Sequence, residues 1–222
     1  MAVLQSLNVG VARPTTHSDI NLTGIDKRPV DHAVAVAVPL PKGVGGSGLA
    51  GDAICDKRHH GGPDQAIYAY AREDLDEWAA LLGRDLRSGS FGENLTTGGL
   101  DVNGALIGER WQVGPEVVLE VSVPRIPCRT FAGWLEERQW IKRFTQRAAP
   151  GAYLRVITPG TIAPGDQIVV TSRPAHDVTI ELTFRALTIE PESLPRLLDA
   201  DALPAGVTDR AHRRAVESNQ PC

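Results

Sequence analysis

The stretch DKRHHGGPDQAIYAY holds the densest concentration of chemically special residues in the chain, with Arg58, His59 and His60 directly before Gly61 and Gly62. Paired glycines indicate backbone with φ > 0, or backbone that approaches another group closely. From the residues, three interpretations stay open: a tight turn whose histidines bond neighbouring carbonyls, a metal site, or a cradle for an anionic ligand. Neighbouring histidines on extended backbone point to opposite sides, which makes them poor ligands for one tetrahedral metal ion.

The sequence PRIPC contains Cys128, the second candidate for chemistry. Arg125 and Arg129 lie within three residues of its thiol, and nearby cations lower the pKa of a thiol and favour the thiolate, the form that binds metals. A single thiolate does not suit calcium or magnesium, and it lacks the companion ligands that zinc requires. A metal that a cofactor already chelates would need only one protein ligand of this kind.

Two other features are interpreted as having no chemical role. Cys55 and Cys222 show no CxxC spacing, so a structural zinc site is not indicated and each is taken as an ordinary small side chain. Residues 43–48, GVGGSG, match the GxGxxG pattern of dinucleotide-binding loops, but that pattern requires a strand before it and a helix opening at it. PLPK precedes and LAGDAICD follows, so no helix is indicated and the match is interpreted as accidental.

Length and composition exclude several classes of protein. The chain has 222 residues, a formal net charge of −4 and a pI near 5.9, which argues against a general nucleic-acid binder. No run approaches the ~20 apolar residues that a membrane helix needs, and the first residues lack the charged and apolar regions of a secretory leader. We therefore expect a cytoplasmic protein with one large domain, or one domain with a small appendage.

The elements that must position these side chains are predicted to be mostly short strands. The runs are VLQSLNVG, AVAVAV, QAIYAY, GERWQVG, VVLEVSV and GAYLRVI, and TPGTIAPGDQIVV adds a turn followed by a final strand. Many short strands without regular helical crossovers predict a closed or nearly closed β-barrel, because closure removes exposed strand edges.

Two amphipathic helices are predicted to interrupt the strands. The first, AREDLDEWAALLG, has acidic residues in its first turn and ends at Gly83. The second is LEERQWIKRFTQRA. Their apolar faces are formed by Leu75, Trp78, Ala79 and Leu82 in the first helix and by Trp140, Ile141 and Phe144 in the second.

The sequence pattern changes at RPAHD from short strands to short helical segments. This change divides the chain into a barrel domain, residues 1–174, and a small helical appendage, residues 175–222. The appendage contains three short helical patterns broken by prolines, and SNQPC is expected to be a loose tail. It has too few apolar residues for a core of its own, so we expect it to cover the barrel or to join a homodimer. Its basic cluster is interpreted either as a solvated helix face or as a contact for an acidic electron-donor protein. The cluster comprises Arg210, His212, Arg213 and Arg214.

Several blocks of the chain occur in the order found in MOSC-domain proteins, a family named after the C-terminal domain of molybdenum cofactor sulfurase. LAGDAICDKRHHGGPDQAIYAYAREDLDEW, FGENLTTGGL, IGERWQVG, PRIPC and VITPGTIAPGDQI resemble the successive blocks of that family. The sequence is most similar to the YiiM-like branch, which carries a small helical C-terminal extension. The resemblance implies a mainly β protein of the α+β class: a β-barrel with inserted helices and a C-terminal three-helix appendage.

The resemblance also implies a binding site for molybdenum cofactor, a pterin dithiolene that carries a phosphate. Cys128 is the implied ligand of molybdenum, and Asn94 of FGENL is implied to reach the pterin or the substrate as a second catalytic residue. The residues implied to hold the phosphate and the pterin are Lys27, Arg28, Arg58, His59, His60, Gly61, Gly62 and Arg125.

The implied activity is the reduction of N-hydroxylated compounds, such as N-hydroxylaminopurine-type base analogues, by removal of oxygen at molybdenum. No flavin, haem or nicotinamide site is recognisable in the sequence, so the electrons are expected from a separate reductase. Nucleic-acid polymers and membranes are not expected partners. The alternative is a non-catalytic carrier of the cofactor or of sulfur, which would expose Cys128 on a flexible loop beside a pocket too shallow for a substrate.

Overall fold

The structure of the protein, a computed structural model, describes residues 1–218. Cys222 and most of the expected tail SNQPC lie outside the described residues. The strands are β1 (Ala2–Gly10), β2 (Arg13–Pro14), β3 (Leu22–Thr23), β4 (Lys27–Val30), β5 (Val34–Val36), β6 (Ile67–Ala71), β7 (Leu95–Gly98), β8 (Arg110–Val113), β9 (Val117–Pro124), β10 (Ala152–Thr158), β11 (Gly160–Ile162) and β12 (Gln167–Ser172). The helices are α1 (Arg72–Leu82), α2 (Arg129–Leu135), α3 (Trp140–Arg147), α4 (Ile180–Thr188) and α5 (Ala205–Ser218), with 3₁₀ helices at Pro63–Gln65 and Pro191–Asp199.

Seven of the strands close into a barrel in the order β1, β7, β6, β10, β9, β8 and β12, and β12 returns to β1. Only the β6–β7 pair of this ring is parallel. The ring closes at a short seam, where Ala2 and Val3 pair with Ile168 and Gln167, while the later part of β1 pairs with β4. The predicted α+β class and the predicted β-barrel are confirmed.

Two apolar clusters hold this architecture together. Aliphatic side chains and the fully buried Trp111 fill the interior of the barrel. A second cluster, which we call the aromatic cluster, joins α1, α2 and α3 to the barrel and consists of Tyr68, Tyr70, Trp78, Phe91, Phe131, Trp140 and Phe144. Several of its ring pairs meet edge to face, as in the pair Phe91–Phe131 at 5.2 Å between centroids, an arrangement that aromatic side chains prefer. The aromatic cluster therefore fixes the start of α2, directly after Cys128.

The first predicted helix is present as α1. Leu75 and Trp78 are buried on its inner face, and Ala79 and Leu82 are half-buried beside them. Gly83 ends the helix with φ 64°, and its N–H caps carbonyls of the last turn. A left-handed residue at this place is the usual helix stop that glycine supplies.

The second predicted helix is wrong in its bounds: α2 ends at Leu135, where the run LEERQWIKRFTQRA begins, and the helix within that run is the shorter α3. Glu136 and Gln139 adopt φ 55° and 56°, a left-handed conformation that ends a right-handed helix. Trp140 and Phe144 are buried as expected, but Ile141 is 45 % exposed. Ile141 is rotated about 100° from Trp140 around the axis of α3, and at this position the side chain lies at the solvent edge of the helix.

Three helical elements follow the last barrel strand: α4, the second 3₁₀ helix and α5. Ile180, Leu194 and Leu197 belong to the same apolar cluster as the barrel interior. The C-terminal helices therefore share the core of the barrel, as expected for a segment that cannot form its own. The division of the chain at residue 174 remains a prediction. Within residues 1–218, no helix combines the length and the apolar character needed to cross a membrane.

Candidate functional site

A cavity of about 470 Å³ lies among four segments of the chain. They are the loop 53–61, the segment 125–130 from the end of β9 into the first turn of α2, the hairpin of β2 and β3 with the residues that follow it, and the start of β4; Gly92 and Tyr153 complete the lining. This volume falls within the ~300–1,000 Å³ typical of small-molecule sites. The sequence-predicted residues that the structure brings together here are Lys27, His59, His60, Gly61, Arg125 and Cys128.

The turn at Gly61 and Gly62 has left-handed backbone, with φ 78° and 80°, which confirms the expectation from the sequence. A Cβ on Gly61 would lie 2.8 Å from the carbonyl oxygen of Gly46, so no larger residue fits there. Gly62 does not line the cavity, and its N–H donates to the same Gly46 oxygen at 3.2 Å. The glycines of residues 43–48 therefore support this turn from behind, and no helix begins at them.

His59 and His60 both face the cavity, as expected for residues of an anion cradle, but His60 does not bring a positive charge to it. Burial, followed by the charge of Arg125, lowers the pKa of His60 from 6.5 to about 4. The ring is therefore neutral at pH 7. It offers a ligand one ring N–H as a hydrogen-bond donor, without a positive charge.

Lys27 enters the cavity from a buried network. Its Nζ lies 2.5 Å from Oδ1 of Asp52, and their side chains are 5 % and 0 % exposed. The other oxygen of Asp52 accepts from Nδ2 of Asn94 at 2.9 Å, and the Oδ1 of Asn94 accepts from the Tyr68 N–H at 3.1 Å. Asn94 does not line the cavity. Its amide is committed to holding Asp52, and through Asp52 it positions the ammonium of Lys27.

Arg125 is a buried cation at the cavity wall. Its guanidinium donates to the Phe91 carbonyl and stacks 4.1 Å from the centre of the Phe131 ring and 5.0 Å from that of Tyr68. Among residues 1–218, no carboxylate forms an ion pair with it. Because a buried charge without a partner is unfavourable, this arrangement favours an anionic ligand in the cavity.

The FGENL motif has a structural role in placing Arg125. The buried carboxylate of Glu93 accepts hydrogen bonds from the Phe91 N–H at 2.9 Å, the Gly89 N–H at 2.5 Å and the Thr96 hydroxyl at 2.9 Å. These bonds fold the loop tightly, and they aim the Phe91 carbonyl at the guanidinium.

Both cysteines of the described residues are free, half-buried and on the wall of this cavity. Cys128 lies directly before α2, and its carbonyl accepts from the Ala132 N–H at 3.0 Å. Burial raises the pKa of the Cys55 thiol, although the charge of Lys27 opposes the shift, so Cys55 is held as a neutral thiol. Within residues 1–218, no three or more His, Cys, Asp or Glu side chains are grouped so that they could hold a metal ion.

Two predicted cationic residues point away from the cavity. Arg28 alternates with Lys27 along β4 and is exposed, and its Nε lies 2.7 Å from Oδ1 of Asp26. Arg58 is exposed and its Nε lies 3.2 Å from Oδ1 of Asp56. Each guanidinium therefore already has a carboxylate partner beside the site.

Sequence reasoning missed several residues of the cavity wall, among them Cys55, Tyr153 and the hairpin of β2 and β3 with His17 and Asp19. The hairpin has no chemical motif, and long-range contacts alone bring it to the site. Asp52 lies four residues before Asp56, where the stretch DKRHHGG begins, and an aspartate close to a predicted basic site was the available signal for it.

Comparison with known proteins identifies a family and several relatives, among them the following three. The MOSC domain family model matches residues 56–169. A protein of Bacillus subtilis (strain 168), Uncharacterized protein YflK, is 32 % identical over 181 residues, which cover 81 % of this chain and 78 % of that protein. A Gibberella moniliformis (strain M3125 / FGSC 7600) protein named Reductase is 30 % identical over 161 residues, which cover 71 % of this chain but 28 % of that longer protein. The crystal structure of YiiM from Geobacillus stearothermophilus superposes with a TM-score of 0.77 at 28 % identity, over 96 % of this chain and 99 % of that one.

Proposed function

The chain belongs to the MOSC domain family, and on this premise we propose that its cavity binds a molybdenum cofactor and reduces N-hydroxylated compounds. The observation that carries the proposal is Arg125, a buried cation that faces the cavity and has no carboxylate partner among the described residues. With Lys27 and the Cys128 thiol on the same wall, the donor set fits a ligand that carries both a phosphate and a thiol-binding metal.

Each residue of the wall has a distinct task in this proposal. Arg125 balances negative charge of the phosphate, and the ammonium of Lys27, which Asp52 positions, donates a hydrogen bond to it; charge-assisted hydrogen bonds are strong in a site shielded from water. Neutral His60 donates an N–H, and Cys128 supplies one sulfur ligand to the metal. When bound, the cofactor supplies two-electron oxygen-transfer chemistry at that metal. The protein binds and orients the N–OH group of the substrate beside it.

A reductase is favoured over a non-catalytic carrier by the surroundings of Cys128. A carrier would present the thiol on an open loop, whereas Cys128 is half-buried at the start of α2 and faces a cavity of about 470 Å³. The similarity to a protein named Reductase supports the same choice. A separate reductase protein as the source of electrons, and a small N-hydroxylated molecule as the substrate, are parts of the proposal.

The test uses the protein made in a host that synthesises molybdenum cofactor. Metal analysis measures molybdenum per chain, and turnover is followed with N-hydroxylated purines and amidoximes, using a reduced viologen as artificial electron donor. Wild type is expected to hold molybdenum and to reduce these compounds, and Cys128→Ser is expected to lose both. Cys55→Ser is the matched control, because it removes the other cavity thiol, and it is expected to keep both properties.

Two results would overturn the proposal. Loss of molybdenum in Cys55→Ser together with retention in Cys128→Ser would refute the assignment of the metal ligand. A wild-type protein that holds molybdenum but reduces no N-hydroxylated compound would refute the reductase activity and favour the carrier.

A further inference from the structure

The hairpin of β2 and β3, which we call the 13–23 hairpin, is a compact unit. Arg13 pairs with Thr23 and Pro14 with Leu22. Its turn is closed by a hydrogen bond from the Thr15 N–H to the Asn21 carbonyl at 3.1 Å, and Asn21 adopts φ 56°. Asparagine tolerates this left-handed conformation in turns better than most residues.

This hairpin forms part of the cavity wall. His17, Asp19 and Leu22 line the same cavity as Cys128. Ile20 does not line the cavity and is 37 % exposed. The 13–23 hairpin is thus a wall with one side toward the cavity and another toward solvent.

The tip of the hairpin is fastened to the first residues of α2, immediately after Cys128. Arg129 donates from Nε to the His17 carbonyl at 3.2 Å, and its terminal nitrogen lies 2.6 Å from Oδ1 of Asp19. The Thr130 hydroxyl donates to the same His17 carbonyl at 2.9 Å. The position of the wall is therefore linked directly to the segment that carries the thiol.

The His17 ring rests on Gly133, in the interior of α2. A Cβ built on Gly133 would lie 2.1 Å from Cγ of that ring, closer than two such atoms can approach. Glycine is the least favourable residue for a helix interior after proline, so the close seat of His17 gives a physical reason for glycine here.

From these contacts we propose that the 13–23 hairpin sets the size of the molecules that reach Cys128, and that Gly133 and Arg129 determine its closed position. The proposal concerns access to a thiol and holds whether or not the cavity carries a cofactor. Its extension to the size of reducible substrates rests on the proposed function. The access proposal and the proposed function can therefore be refuted independently of each other.

The test measures how fast Cys128 reacts with two maleimides of different size, N-ethylmaleimide and fluorescein maleimide, in the 222-residue chain purified without metal. Peptide mass mapping reports the modification of Cys128 separately from that of the other cysteines. Gly133→Ala is expected to raise the rate with fluorescein maleimide about tenfold, because overpacking of this severity displaces the ring and the hairpin with it. The rate with the small reagent is expected to change little.

Gly206→Ala is the matched control, because Gly206 also lies in a helix but has no atom within 4 Å of an added Cβ. It is expected to leave both rates unchanged. A folded Gly133→Ala protein that reacts with the bulky reagent at the wild-type rate would overturn the proposal.

A second variant tests the fastening without any overpacking. Arg129→Ala is expected to raise the ratio of the bulky-reagent rate to the small-reagent rate by a factor of about 2 to 5, the effect of losing one exposed ion pair. The ratio is used because Arg129 adjoins Cys128 and its loss can change the reactivity of the thiol toward both reagents. Arg196→Ala removes a comparable exposed pair, with Asp177 at 2.8 Å, far along the chain, and serves as its control. Equal ratios in Arg129→Ala, Arg196→Ala and wild type would show that Arg129 does not hold the wall.

Discussion

Replacing Asp52 by asparagine is the sharpest test of the electrostatic network beneath the cavity. The Asp52 carboxylate is fully buried and accepts hydrogen bonds from Nζ of Lys27, the Gly10 N–H and Nδ2 of Asn94 at 2.5, 2.8 and 2.9 Å. Asparagine keeps the shape of the side chain but removes its charge. The variant therefore leaves the 5 % exposed ammonium of Lys27 without its counter-charge.

The expected loss is large because the pair is buried. Removing one member of a buried ion pair costs about 3–5 kcal/mol, most of it from the stranded charge. For a chain of this length that corresponds to a fall in Tm of roughly 6–20 °C. The double variant Asp52→Asn with Lys27→Met strands no charge, so its loss is expected to be smaller than the sum of the two single losses by about 2 kcal/mol or more.

Urea unfolding followed by circular dichroism measures all three losses. Asp177→Asn serves as control, because it breaks an exposed pair with Arg196 and is expected to cost at most about 1 kcal/mol. Inorganic phosphate is expected to stabilise Asp52→Asn more than wild type, since an anion in the cavity replaces the missing counter-charge. Additive losses in the double variant, or a loss below about 1 kcal/mol in Asp52→Asn, would refute the reasoning.

Three further outcomes are expected. The pKa of His60 in the folded protein is lowered to about 4. Its contribution to the free energy of unfolding is therefore complete above pH 6.5 and declines as the pH falls toward 4. In urea unfolding, the stability difference between wild type and His60→Gln should shrink by up to about 3 kcal/mol across that window. Burial raises the pKa of Asp74 to about 6, so its favourable contribution is present below pH 3.8 and lost as pH rises through 6. Asp74→Asn, which keeps an oxygen for the bond from Asn103, should therefore stabilise the protein at pH 7 by up to about 3 kcal/mol and hardly at all at pH 4, a difference that unchanged stability at pH 7 would contradict. Truncation after Arg173 uncovers the barrel surface beneath Ile180 and should abolish soluble expression, and a folded monomer of the truncated chain would contradict the shared core.

Strands with a clear alternation could be predicted from the sequence. In β9 the residues of VVLEVSVP alternate between buried and half-buried over the first half of the strand, and such a pattern identifies a strand without any tertiary information. β7, with the sequence LTTG, carries no such signal although all four of its residues are buried. It is a strand because β6 and β1 flank it on both sides, and that is a property of the barrel.

The residues of the candidate site also divide into those that the sequence could identify and those that only the fold brings together. Cys128, Arg125 and the histidine turn could be selected because unusual residue types are crowded within a few positions. The role of Asp52 could not, since its partners Gly10 and Asn94 each lie 42 residues away along the chain. Burial also determines the charge of a residue whose position was predicted correctly. His60 faces the cavity but is neutral, because burial of the ring lowers its pKa.

The seam between β1 and β12 has a consequence for how the protein folds during its synthesis on the ribosome. Ala2 cannot pair until its partner Ile168 has been synthesised. At synthesis rates of roughly 5–20 residues per second, the delay is on the order of 10–30 s. During that interval the apolar face of β1, with Leu4 and Leu7, has no barrel to enter, and contacts so distant in sequence form slowly. The yield of soluble protein in a heterologous host is therefore expected to depend more on how well the chaperones of that host protect β1 than on the stability of the folded barrel.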